Sequence, residues 1–449
     1  MLLVCALACA ACREPVTFPE EQYDARMSGG VNSVPDNSSK AFSHAFPLLR
    51  SNEAQLHALG DAHFEQTFVT APAPVNAGLG SRYNNVSCIS CHRNDGSGFP
   101  TTGEPESALL LRISTDGIDA HGGPRPVPSY GGQLQDKAII GWQPECAISI
   151  TYEYRTVELA GGERCELRIP RYTLHSLHAP IGVPYRLSPR LAPPVFGLGL
   201  LEAVSEHTIL SYADASDANG DGISGRPNRV WDAPSGSMRM GRFGWKANTA
   251  TLLAQVAGAY AQDMGITSSI FPDTDLFESG ATNGTPAPPE LGDDILRAVT
   301  FYVRTLAVPQ RRLVTDPVAL RGERVFREAK CGSCHVPTLV TGDHMDLPSV
   351  SGQRIHAYTD LLLHDMGPEL ADDRPDFEAS GREWRTAPLW GIGLFRTVSY
   401  PGYYLHDGRA RTILEAVLFH GGEAEKSRQF VERLSPADRA ALLRFLSSL

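Results

Sequence analysis

Apolar positions along this chain keep helical spacing at both ends and strand spacing in between. Leu56, Leu59, Phe64 and Phe68 recur at intervals that place them on one face of a helix starting near Ser51. From about 105 to 190 the period shortens: Leu109–Ile113, Ile148–Glu158 and Cys165–Ile169 alternate apolar with polar, and Gly161-Gly162 turns the chain between the last two. Helical spacing returns behind Pro193-Pro194, at Leu252, Leu253, Val256 and Tyr260, and from about Leu291 to Leu306. It recurs over Leu320–Lys330 and over Thr412–Phe419, where Gly421 stands ready to stop the helix. The pattern predicts a mainly α protein with a β-rich insertion at about 105–190. No run approaches the roughly 18 apolar residues that a membrane-spanning helix needs.

Composition changes this picture little. The 449 residues, 42% hydrophobic and 20% charged, suit an ordinary globular chain of two or three domains. A net charge of −11 argues against nucleic acid or an anionic membrane surface as partner, and suits a basic electron donor. Residues 1–12 are apolar and rich in Ala, Leu and Cys, like the end of a bacterial lipoprotein export signal with Cys9 or Cys12 at the cleavage point. A periplasmic or lipid-anchored protein is therefore expected. Residues 13–50 read as a flexible tether, and 271–290 as a Pro/Gly/Thr/Asp-rich linker.

The chemistry enters with two identical patterns, Cys88-Ile89-Ser90-Cys91-His92 and Cys331-Gly332-Ser333-Cys334-His335. Two thiols three positions apart with a histidine directly behind are the attachment signature of c-type haem: each Cys adds to one vinyl group and the imidazole meets the iron. A redox dithiol needs no such histidine, and a lone zinc site does not explain two copies. Two covalent haems are expected, on His92 and His335. Helix, motif, loop and closing helix are what a cytochrome c domain requires. On this basis 51–310 and 316–449 read as two cytochrome c-like domains, the first carrying the insertion.

Of the 9 cysteines, three lie in the leader and four in the motifs, leaving Cys146 and Cys165. They flank the strand-like run that turns at Gly161-Gly162, and in an exported chain a disulfide across a hairpin is expected. Asp217, Asn219 and Asp221 carry the alternate oxygen ligands of half a calcium loop, with Gly222 at the sharp turn, but Asn228 stands where an EF-hand has its bidentate Glu. A calcium-stabilised loop and a plain Asp/Asn/Gly turn both fit. Trp245 has an ordinary reading as a core residue; between two haems, its indole would relay electrons.

Seven segments carry a resemblance. Arg385-Thr386-x-Pro388-Leu389, His406-Asp407-Gly408-Arg409 and Glu415-Ala416-Val417-x-x-His420-Gly421-Gly422 resemble the C-terminal half of bacterial di-haem cytochrome c peroxidases and MauG enzymes. Ser188–Ala203, Asp221–Asn228, Arg242–Ala247 and His364–Gly367 are closer still to the di-haem oxidoreductase family, sometimes labelled thiol oxidoreductase, and the match runs from about residue 60 onward. The resemblance implies two facing haem domains, one iron for peroxide and one for electron relay. It also implies that His420 occupies the second haem's distal position, where the relatives have Met or Tyr. An axial pair of His335 and His420 should give a low-spin haem of lower potential than a His/Met pair. By the same matching Trp245 falls near the Trp between the relatives' haems, although Lys246-Ala247 replaces their Asp-Gly-Arg.

These residues lead to an exported peroxidase. Hydrogen peroxide would be reduced at the His92 haem, and a small redox protein or a quinol-linked donor would deliver electrons to the His335/His420 haem. Trp245 would lie on the path between them. A non-catalytic di-haem carrier and an oxidase acting on a protein partner are the alternatives. For the distal side of the first haem, Gln255, Asp263 and Lys246 are conceivable neighbours, and no spacing selects among them.

Overall fold

The structure is a computed structural model that describes residues 24–272 and 289–449. The leader at 1–12 and most of the 271–290 linker lie outside the described residues, as does the first part of the tether.

The protein is not mainly α: 29% of it is helix and 21% strand, distributed over many small sheets. The insertion supplies the larger ones. Ala147–Glu158 and Arg164–His175 form a long antiparallel hairpin, and Leu109–Thr115 pairs with Tyr185–Leu191 on one side and Gln133–Leu134 on the other. Further short pairs arise outside it, such as Arg229–Asp232 with Ser237–Met240 and Leu363–Asp365 with Glu383–Arg385. Strands of two to four residues carry too little alternation to be read locally; they form where tertiary packing brings two extended segments together.

The hairpin also overturns the expected disulfide. Cys165 pairs with Val157 near the turn, whereas Cys146 precedes Ala147, whose partner His175 lies at the open end. Some ten residues of extended chain, on the order of 30 Å, separate the two. A disulfide needs Cα atoms within about 7 Å. Both thiols are free.

The helices position the motifs. Ser51–Glu65 starts with a capping box in which Glu53 accepts the Arg50 backbone N–H at 2.8 Å. Its buried face is Glu53, His57, Gly60 and Phe64, while Leu59, expected inside, is 48% exposed. Gly60 explains the shift: a Cβ there would run into the Ala298 carbonyl, so the helix lies tightly on Asp293–Arg304 through a residue without a side chain. His57 Nδ1 meets Thr305 Oγ1 at 2.8 Å on the same face. Leu252–Met264 is capped by Thr251 and ended by Gly265 at φ 66°.

In the second half, Asp316 caps Pro317–Glu328 by accepting from Val318 and Ala319 at 2.9 and 2.8 Å. Gly322 lets this helix press on Ala441 of Pro436–Leu446. The largest core cluster draws residues from Ala41 to Val398, so both halves share it. Among the described residues no helix is long and apolar enough to cross a membrane.

Candidate haem-binding site

The first motif forms one helical turn, Cys88–Cys91, after which His92 N–H returns to the Cys88 carbonyl at 2.9 Å. The second forms a tighter turn, Cys331–Ser333, entered through Lys330 at φ 58° and closed by His335 N–H on the Cys331 carbonyl at 3.0 Å. In each turn both sulfurs and the imidazole stay on a short piece of chain, the local requirement of the spacing.

Each imidazole is oriented by a backbone carbonyl, and the Gly96 backbone adds a second such contact at His92. His92 Nδ1–H donates to Pro193 O at 2.7 Å, His335 Nδ1–H to Tyr358 O at 3.0 Å, and His420 Nδ1–H to Ala416 O at 2.7 Å. A carbonyl can only accept, so the tautomer is set and every Nε2 lone pair is left for a metal. Burial favours the neutral ring: the pKa values of His92 and His335 are pushed down to about 4, and that of His420 is lowered for the same reason. Burial also pushes the thiols of Cys88, Cys91 and Cys331 up to about 12, and that of Cys334 upward. Cys88, Cys91 and Cys331 are thus neutral thiols at physiological pH.

A single cavity of about 920 Å³ joins the two motifs. Cys88, Cys91, His92, Cys331, Cys334, His335, His420 and Trp245 all line it. Its volume lies at the upper end of cofactor pockets. The imidazole rings of His335 and His420 face each other inside it with centroids 6.4 Å apart. A metal held by two imidazole nitrogens at about 2 Å each needs a separation of about 6 Å between ring centroids. The residues therefore fit an iron at this position. Beside His92 the neighbouring ring is Phe64, at 6.1 Å, and among the described residues no second imidazole faces it.

Trp245 is tied to both sides. Its indole N–H donates to Leu191 O at 2.8 Å, two residues from the carbonyl that orients His92, and its own carbonyl accepts from Arg385 N–H at 2.9 Å. Gln255 and Asp263 also line the cavity. Asp263 accepts from Gln133 Nε2 at 2.8 Å, and burial raises its pKa. Lys246 leaves that set. It is fully buried, with Nζ on Asp372 at 2.7 Å and on the carbonyls of Arg374 and Ser380, each at 2.8 Å. Asp217, Asn219 and Asp221 stand apart in a solvent-exposed turn, where Asp217 and Asp221 accept from the loop's own N–H groups at Gly222 and Ile223.

Sequence reasoning missed several groups around the cavity. His364 is held between Asp360 at 2.8 Å and Glu423 at 2.7 Å, with Cys334 Sγ at 3.6 Å. Burial opposes its protonation, but the bonds to Asp360, Cys334 and Glu423 override this and push its pKa up to about 12. His406 stacks on Trp384 with centroids 3.7 Å apart. Arg190, Arg374 and Arg385 also reach the cavity wall. The resembling segments contain His364, Arg385, His406 and Arg190, but no local pattern distinguishes a cavity-lining arginine from a surface one.

A family described as "Di-haem oxidoreductase, putative peroxidase" matches residues 22–180 and 182–449. No curated protein matches. Among solved structures, a chain of hydrazine synthase from Kuenenia stuttgartiensis aligns over 100% of this chain and 99% of that one, with a TM-score of 0.36 and 14% identity. That likeness is too distant to bear on the argument.

Proposed function

Because the chain belongs to the di-haem oxidoreductase family, we propose that it is an exported peroxidase holding two covalent c-type haems. The observation that carries this reading is the inequality of the two histidine sites: His335 has His420 across from it at 6.4 Å, while His92 has no imidazole opposite among the described residues. One site is built for a filled axial pair, and the other keeps a face for a small molecule. Attachment needs no oxidant. Each cysteine S–H adds across a vinyl group, the C–S bond forms at one carbon and the proton ends on the other.

The bound haems supply the redox chemistry, in which one hydrogen peroxide takes two electrons and two protons and leaves as two waters. The chain's own residues hold and orient. His92, His335 and His420 present Nε2, and carbonyls fix their tautomers. Trp245 links the strand end at Leu191 to Arg385, an arrangement that suits an electron path between the sites. Asp263, half-buried beside Cys88 and Cys91 with its pKa raised, is our candidate for holding a proton near the first site. Electrons would come from a small redox protein or a quinol-linked donor. The leader with Cys9 and Cys12 would place the protein in the periplasm or on a lipid anchor.

Peroxide consumption with a reduced small cytochrome tests the reading, together with cyanide binding to the ferric protein. Turnover with fast cyanide binding at one haem is expected. Two haems that both refuse cyanide, with no turnover after full reduction, would make the protein an electron carrier.

A further inference from the structure

The cavity wall holds more buried positive charge than the neighbouring carboxylates compensate. Near the first motif, Arg374 and Arg190 on the wall are 4% and 7% exposed, and Lys246, behind it, is fully buried. Lys246 is met by Asp372 at 2.7 Å, but Arg190 and Arg374 share one carboxylate, Asp376, at 2.8 and 3.2 Å. Arg374 Nε is buried with no hydrogen-bond partner. Near the second motif, the partly buried Arg385 guanidinium donates to two backbone carbonyls, Gly244 O and Thr386 O, both at 3.1 Å; the Asp360 carboxylate acts on it only at longer range, and it forms no ion pair among the described residues. Burial lowers the pKa values of both Arg374 and Arg385 to about 10, as expected of guanidiniums removed from water.

A buried charge left without a counterion costs several kcal/mol. Arg190, Arg374 and Arg385 all line the one cavity, so the missing anion belongs there. Position assigns each cluster to a motif. Arg190 lies three residues before Pro193, whose carbonyl orients His92. Arg385 precedes Thr386, whose carbonyl accepts from Thr359, next to the Tyr358 carbonyl that orients His335. The segment 244–248 joins the clusters: Arg385 holds the Gly244 carbonyl, and Arg190 reaches Asn248 Oδ1 at 3.4 Å.

Resting on the two-haem reading above, we propose that these arginines are the carboxylate receptors of the haems. Arg385 takes a propionate of the haem at His335, and the Arg190–Arg374 pair takes a propionate of the haem at His92. A guanidinium fork matches a carboxylate with two parallel hydrogen bonds, and the pairing keeps the carboxylate ionised. The cation also disfavours the more positive ferric state, so each cluster raises the potential of its own haem.

The test is spectroelectrochemistry of both haems in the holoprotein, from about pH 5 to about pH 8, in wild type, Arg385→Gln, Arg385→Lys and Arg374→Gln. Haem content and ferric spin states are measured first. A wild type without two haems overturns the family-based reading itself, independently of the arginines. With two haems present, Arg385→Gln should shift the reduction equilibrium of the low-spin haem at least tenfold toward ferric, 59 mV for a one-electron couple. It should also introduce a pH dependence absent from the wild type, because the unpaired carboxylate then titrates. Arg374→Gln should act in the same way on the other haem. Arg385→Lys keeps the charge and should stay near the wild-type potential; this comparison decides the matter if Arg385→Gln fails to fold. Equal shifts of both haems, no shift in either, or a Lys variant displaced as far as tenfold would overturn the assignment.

Discussion

On the proposed reading, His420 is the one side chain that divides the labour of two matching motifs. Its Nδ1–H is taken by Ala416 O, which leaves Nε2 free, and its ring lies 6.4 Å from that of His335, a gap that suits a metal. Replacing it by Ala should turn the low-spin haem high-spin and leave the other unchanged, which electron paramagnetic resonance of the ferric protein would read. An unaltered spectrum would mean that another residue is the ligand. Asp95, close behind the first motif, makes a pH prediction. Burial raises its pKa to about 6, although Tyr302 donates to it at 2.8 Å. Because the folded state holds this proton more tightly than the unfolded chain, stability falls as pH rises from the ordinary carboxylate range to about 6. The loss is roughly 2–3 kcal/mol at 1.36 kcal/mol per unit. Asp95→Asn should remove it: in urea titrations, wild type should weaken relative to the variant between about pH 4 and about pH 7. Parallel behaviour of the two proteins would remove Asp95 from the account.

At the scale of elements, two close approaches and one hairpin matter most. Gly322 lets the helix that delivers the second motif lie against Ala441, and a methyl group there would meet backbone rather than a movable side chain. Gly322→Ala should cost about 1–3 kcal/mol, seen as a lower thermal midpoint. An unchanged midpoint would show that the helices can separate freely. The hairpin predicts the behaviour of the two leftover thiols. Since Cys146 and Cys165 sit at opposite ends of it, the double variant Cys146→Ala/Cys165→Ala should keep wild-type stability to within about 2 kcal/mol, below the usual 2–5 kcal/mol loss for a native disulfide. Thiol titration of the unreduced, unfolded protein should find both reactive. The first strand of this hairpin was legible in the sequence because its alternation is long; the second was read only to Ile169 and runs on to His175. The Leu59 face was not, since the buried stripe runs through His57 and Gly60, which hydrophobic periodicity does not count.

Across the whole molecule, the main cluster of buried apolar residues takes members from Ala41 to Val398. The first described segment is also bonded to the second half: His356 N–H donates to Ser28 O at 2.7 Å, and Asn32 Nδ2 to Ser349 O at 2.8 Å. A shared core of this kind couples the unfolding of the halves. Haem absorbance and far-ultraviolet circular dichroism should therefore melt together in one transition; two separated transitions would show that the halves unfold independently. Helix was over-counted from the sequence for a reason at the same scale. Many of the strands are short pairs between distant segments, and nothing in a run such as Leu363–Asp365 announces its partner Glu383–Arg385.

The sequence by itself determined the two Cys-x-x-Cys-His turns, the long hairpin and the helices that carry the motifs. These depend on spacing within a few residues, which covalent geometry and side-chain period control. Tertiary structure alone decided the rest. It set His420 against His335, tied Trp245 to both sites, left Cys146 and Cys165 far apart, and gathered Arg190, Arg374 and Arg385 on one cavity wall. Each of those relations joins residues far apart in the chain, so it exists only once packing has chosen which surfaces meet and which charges lose their water.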